Sequence, residues 1–267
     1  MKPKLIALDI DGTLTTDSKE ISPKTREMLI DCQKRGSRLL LASARPTHGL
    51  YKTMKELEME DNHGLLMAYN GGKVIDVTSG EVISEINIDK NRVKRILKFL
   101  EGLPVSVILD DEEKLYVIDR KGYKVEYEAS NNDMEVEEVE NLSDFLNFNP
   151  VKILLAVNPA SIYEVQGQIA NNLDEDLTVV RTAPFYLEII PKAINKGEGL
   201  KKICKAKSID ISETIAFGDS ENDMSMLEVA GLGIAMANAE KAVKDVADKV
   251  TLSNNEDGIY HALKNCF

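Results

Sequence analysis

Apolar residues along the chain gather into short solid runs, and between the runs they recur at helical spacing. The run Leu5–Leu8 has the pattern of a strand buried on both faces. Ser22-Pro23 offers an N-cap followed by a first-turn proline. A helix is predicted from there to about Arg35, where Gly36 can adopt the left-handed cap. Residues 38–43 predict a second strand and residues 49–57 a helix. Residues 65–69 predict a third strand that breaks at the turn Asn70-Gly71-Gly72. Strand and helix in this alternation predict βαβ units on a parallel sheet.

The last third reads the same way, with strands at 214–217 and 232–236 and helices at 197–206, 224–229, 240–246 and 258–264. The middle does not. It predicts a helix at 91–100, alternating strands at 105–109 and 115–119, and a strand at 151–157. A helix at 162–173 and strands at 177–181 and 186–190 follow. That order is α+β in character. The expected fold is therefore α/β: a Rossmann-like parallel-sheet core with helices on both faces, plus an inserted α+β domain. The core takes residues 1–81 and 189–267, and the insert residues 82–188.

Charge divides the chain at the same places. The 267 residues carry a net charge of −12. Residues 82–188 hold 21 acidic and 11 basic side chains, and the flanks hold 24 and 22. The densest acidic run, residues 135–140, reads as a solvated helix face or loop. Such a balance repels phosphate backbones, so nucleic acid is not expected as a partner. No stretch approaches the roughly 20 apolar residues of a membrane span, and residues 1–9 do not read as a signal peptide, so a cytoplasmic protein is expected. Cys32, Cys204 and Cys266 are widely spaced, and His48, His63 and His261 sit in no catalytic context. The chemistry on offer is carboxylate chemistry.

Its strongest signal is Asp9-Ile10-Asp11-Gly12-Thr13-Leu14, directly after the first buried strand. Two carboxylates at the carboxyl end of a parallel strand stand where open α/β sheets bind ligands. Side chains two apart in an extended segment address one object, and charge at a buried edge calls for a cation or a task. A second cluster, Gly218-Asp219-Ser220-Glu221-Asn222-Asp223, follows the strand at 214–217 in the same manner. Oxygen ligands without Cys or His select Mg²⁺, which pairs a few carboxylates with substrate phosphate; the twelve-residue spacing of an EF-hand is absent. Ser43 at a strand end can hold phosphate oxygens, and Lys196 at a helix start adds a positive charge.

The order DxDGT, strand-end Ser, Lys, GDxxND resembles the haloacid dehalogenase superfamily of phosphatases, and the large insert resembles the cap of its Cof-type branch. The resemblance implies a hydrolase of phosphoric monoesters acting on small phosphorylated metabolites. Asp9 would be the nucleophile that forms an aspartyl-phosphate, and Asp11 the general acid and base. Mg²⁺ would be held by the Asp9 carboxylate, the Asp11 backbone carbonyl and Asp219. Ser43 and Lys196 would clamp the phosphoryl oxygens. Asp223 would be a more distant or water-mediated metal partner, and Asn222 would orient Lys196 or substrate. Asn70, Gly71 and Arg45 would lie near substrate, and the cap would choose it. Where the family carries Thr-Gly-Arg this chain has Ser43-Ala44-Arg45: the hydroxyl is kept, but Ala44 lacks the freedom of Gly. A phosphomutase of the same superfamily and an Asp-phosphorylated signalling protein are the alternatives.

Overall fold

The computed structural model describes residues 2–264. In chain order, β1 (Leu5–Leu8), α1 (Pro23–Lys34), β2 (Arg38–Ala42), α2 (Tyr51–Glu56), β3 (Leu65–Ala68), β4 (Lys73–Asp76) and β5 (Glu81–Glu85) come first. Then follow α3 (Lys90–Leu100), β6 (Val105–Asp110), β7 (Lys114–Val117), α4 (Val125–Asn132), β8 (Glu135–Glu138), α5 (Leu142–Phe145) and β9 (Ile153–Val157). Next are α6 (Ile162–Ala170), β10 (Leu177–Ala183), β11 (Tyr186–Pro191), α7 (Lys196–Ala206), β12 (Thr214–Gly218) and α8 (Met224–Val229). β13 (Leu232–Ala235), α9 (Lys241–Val246), β14 (Lys249–Val250) and α10 (Gly258–Leu263) complete the described chain.

Two compact units result, one of Met1–Glu85 with Ile194–Phe267 and one of Ile86–Ala193. In the first, an eight-stranded sheet runs in the order β14-β13-β12-β1-β2-β3-β4-β5. The first six of these pair in parallel, and β4 and β5 close the edge as antiparallel strands. β1 is central and wholly buried. Leu5 and Ala7 pack with Leu200, Ile203, Met226 and Leu227 of α7 and α8, while α1 packs against β2 and α10. Helix α1 starts as its sequence predicts: the Ser22 hydroxyl accepts the Thr25 N–H and proline takes the first position.

The second unit has a six-stranded sheet in the order β10-β11-β9-β6-β7-β8. One core, including Leu97, Leu109, Leu155, Val165 and Leu187, gathers α3, α5 and α6. A second core joins Val125 and Ala129 of α4 to Ile108, Leu115 and Leu154.

Two expectations need correction. The division falls at 85/86 and 193/194, a few residues beyond 82 and 188, because β5 pairs with β4 in the first sheet while β11 runs to Pro191 in the second. The run 135–140 is neither a helix face nor a plain loop. Residues Glu135–Glu138 form the edge strand β8, parallel to β7, with Val136 packed inward and Lys114 against Glu137. Charged edge strands resist further pairing. Cys32 and Cys204 are buried, and Cys266 lies outside the described residues. Among the described residues no helix is long and apolar enough to cross a membrane.

Candidate active site

Four loops of the first unit, leaving the carboxyl ends of neighbouring strands β12, β1, β2 and β3, carry the predicted residues other than Lys196, which begins α7. The Asp9 N–H donates to the Phe217 carbonyl at 3.1 Å, extending the β1–β12 ladder by one residue and holding Asp9 beside the second acidic loop. Gly12 then turns the chain at φ 87°, and a Cβ there would stand 2.6 Å from an Asp219 carboxylate oxygen. Glycine is required at this point on both counts.

At the centre is Lys196. Its side chain is fully buried, and its Nζ donates to Asp9 Oδ1 at 2.7 Å and to Asp223 Oδ1 at 2.6 Å. The other oxygen of Asp223 accepts the N–H groups of Asp219 and Ser220, both at 3.0 Å, which folds the loop back on itself. Asn195 caps α7 by accepting the Glu198 N–H at 2.8 Å and so sets Lys196 at the first helical position. The turn after β3 comes close here: Gly71 has φ 100°, and a Cβ on it would lie 2.6 Å from the Asn195 carbonyl.

The carboxylates of Asp9, Asp219 and Asp223 each offer an oxygen within 4.8 Å of the others. Burial, then Asp223, push the Asp9 carboxyl up to about 8 against the pull of Lys196. Asp219 is raised by burial, with Asp223 adding to it while the Thr13 hydrogen bond opposes. For Lys196, burial works against the ammonium, but Asp223 and Asp9 outweigh it and its pKa is raised. Three converging carboxylates with one ammonium leave negative charge uncompensated. An all-oxygen donor set of this kind fits a hard divalent cation.

Asp11 belongs to a different set of contacts. Arg45 grips its carboxylate with Nε and a terminal nitrogen, both at 2.8 Å, and Lys19 donates to it at 2.8 Å. Burial raises the Asp11 pKa, but these hydrogen bonds and charges prevail and it is lowered. The Asp11 side chain therefore stands outside the carboxylate cluster, and Asp223, expected at a greater remove, stands within it.

Ser43 is buried, its hydroxyl accepts the Arg45 N–H at 3.2 Å, and its carbonyl accepts the Asn70 N–H at 2.8 Å. The β2 and β3 loops are thus laced together. Ala44 is not among the residues with positive φ, so its backbone asks for nothing that only glycine supplies. Asn222 does not reach Lys196: its Nδ2 donates to Asn70 Oδ1 at 2.9 Å and ties the β12 loop to the β3 loop. Two participants were not foreseen as site residues. Thr13, whose hydroxyl donates to Asp219 at 2.6 Å, was legible as the hydroxyl beside Gly12 in the first motif. Lys19 gave no signal, since only the fold of the loop after β1 returns it to Asp11.

A parallel sheet with acids at the ends of two central strands and a buried lysine between them defines an α/β protein with a carboxylate-centred site. The chain matches the haloacid dehalogenase-like hydrolase family over residues 6–263 and belongs to it. It is similar to a haloacid dehalogenase-like hydrolase of Bacteroides thetaiotaomicron, with 34% identity, TM-score 0.95, and 99% and 100% of the two chains covered. It is 31% identical to the phosphatase YwpJ of Bacillus subtilis, covering 98% of this chain and 99% of that one. A subclass IIB sugar phosphatase of the superfamily shares 27% identity at TM-score 0.79, with 98% of each chain covered. The protein is an enzyme, a hydrolase of phosphoric monoesters.

Proposed function

We propose that this phosphatase is Mg²⁺-dependent, acts on small phosphorylated metabolites, sugar phosphates among them, and works through an aspartyl-phosphate on Asp9. The observation that carries the reading is the buried Lys196 held between Asp9 and Asp223, with Asp219 alongside. The sugar phosphatase among the similar structures supports the substrate class.

In this reading an Asp9 oxygen attacks phosphorus and the leaving oxygen departs with a proton from Asp11. Water then attacks the aspartyl-phosphate and gives its proton to Asp11, so one hard displacement becomes two easier ones. Arg45 and Lys19 favour the ionised form of Asp11, which accepts this second proton, whereas the first step needs a protonated Asp11 against their pull. Lys196 balances charge on the phosphoryl oxygens, and the Ser43 hydroxyl holds one of them. Mg²⁺, held by Asp9, Asp219 and the Asp11 carbonyl with Asp223 adjoining, would offset the repulsion between carboxylate and phosphate dianion. The inserted unit selects the leaving group.

Asp9→Asn tests this directly. The amide keeps the shape and loses the nucleophile, so phosphate release from sugar phosphates should fall by roughly three orders of magnitude or more with the fold intact. Activity of the parent should vanish on chelation and return with Mg²⁺. Turnover in Asp9→Asn equal to the parent's refutes the covalent route.

A further inference from the structure

The loop that carries Asp11 is held by residues between 226 and 239 positions later in the chain. Asn238, just beyond β13, donates from Nδ2 to the Gly12 carbonyl at 2.8 Å, and its Oδ1 accepts the Asn254 N–H at 3.0 Å. Buried Asn254 donates to the Thr15 carbonyl at 3.0 Å and to Asp17 Oδ1 at 3.2 Å. Asn255 meets Asp17 twice: its Nδ2 donates to Asp17 Oδ2 at 2.9 Å, and its Oδ1 accepts the Asp17 N–H at 3.1 Å. The three asparagines form a brace along Gly12, Thr15 and Asp17.

What the brace holds in place is the turn that presents Lys19. The Thr16 N–H donates to the Glu20 carbonyl and the Lys19 N–H to the Thr16 carbonyl, both at 2.9 Å, and Lys19 is left-handed at φ 64°. Its Nζ thereby reaches Asp11 Oδ1, which Arg45 also grips. Left-handed non-glycine residues persist where their surroundings fix them, and they cluster at functional sites. Stability does not account for the arrangement. The Lys19 side chain is 64% exposed and that of Asp11 38%, and ion pairs this open contribute little. Position does account for it. Asn238 fixes the Gly12 peptide that follows Asp11, and the Asp17 turn fixes the lysine on its carboxylate. A group that transfers a proton is effective only within hydrogen-bond reach of its target.

We infer that Asn238, Asn254 and Asn255 are positioning residues that act on the reaction through Asp11. The inference rests on the phosphatase reading, with Asp11 as acid and base. Asn238→Ala and Asn255→Ala test it, because both residues are exposed and the fold should survive their truncation. Glucose 6-phosphate, whose alkoxide needs a proton to leave, is compared with 4-nitrophenyl phosphate, whose anion leaves without one. At saturating Mg²⁺, kcat/KM for glucose 6-phosphate should fall about tenfold in each variant, and that for 4-nitrophenyl phosphate by less than about threefold. In an Asp11→Asn background the same substitutions should change glucose 6-phosphate turnover by less than about threefold, since the group they position is gone. A fall shared equally by both esters, or one that persists without the Asp11 carboxyl, overturns the inference. So do NMR spectra in which Asn255→Ala leaves the Asp11, Gly12 and Lys19 amides unshifted. A parent enzyme that hydrolyses neither ester fails the phosphatase reading, and the spectra still decide whether the brace reaches Asp11.

Discussion

Lys196 shows what one residue does in this protein. A fully buried ammonium is tolerable only because two carboxylates meet it at 2.6 and 2.7 Å. Replacement by methionine, of similar length, removes the charge and leaves Asp9 and Asp223 buried together. Breaking a buried pair from one side costs roughly 3–5 kcal/mol, so Lys196→Met should lower the unfolding free energy by about that amount in denaturant titrations. Activity should fall with it. A variant as stable as the parent would show that the lysine is held by packing alone. The same residue shows how sequence and structure divide the information. Its position before a helix was legible, but its partnership with Asp223 joins segments 27 residues apart.

At the scale of elements, β4 and β5 extend the parallel sheet by an antiparallel hairpin, and Asp76 fastens that hairpin to its surroundings. Its carboxylate meets Lys207, just beyond α7, at 2.7 Å and Arg38 of β2 at 3.8 Å, and accepts the N–H groups of Thr78 and Ser79. Burial raises the Asp76 pKa, but Lys207 and the Ser79 N–H outweigh it and the net shift is downward from 3.8. A folded pKa below the unfolded value contributes stability that is present above pH 3.8 and lost as pH falls through the folded pKa. Asp76→Asn should therefore lower Tm at pH 7, and its gap from the parent should close as pH drops below 3.8. A gap independent of pH would assign the effect to packing. The hairpin went unread in the sequence because its strands are four and five residues long, and β5 is largely exposed.

The whole molecule has two cores, and each unit carries its own sheet. Both cut ends of the first unit lie in contacting elements, since β5 packs against α7 and Lys202 Nζ donates to Ser84 Oγ at 3.1 Å. Replacing residues 86–193 by a short Gly/Ser linker should leave a folded first unit with the native ladder β14 to β5. It should retain hydrolysis of a simple aryl phosphate and lose discrimination among small phosphorylated metabolites. One substrate panel run on both proteins decides this. Identical preference profiles would show that the inserted unit is not the selector.

Local sequence alone determined the buried strands, the capped start of α1 and the two acidic loops. Each rests on neighbours a few residues apart, as with Leu5–Leu8 running into Asp9, or Ser22 capping Thr25. Asp9, Ser43, Lys196 and Asp219 were legible for that reason, and the chain order of their motifs carried the family. Tertiary structure decided who meets whom. Parallel pairing of β1 with β12 and β2 places their loops side by side, and only then does Asp223 join Asp9 and Asp219. Only then does Asn222 turn to Asn70, and Asp11 fall to Arg45 and Lys19. The physical reason is range: caps and strand burial are settled within a turn or two of chain, whereas hydrogen bonds between loops depend on a register that the whole sheet sets.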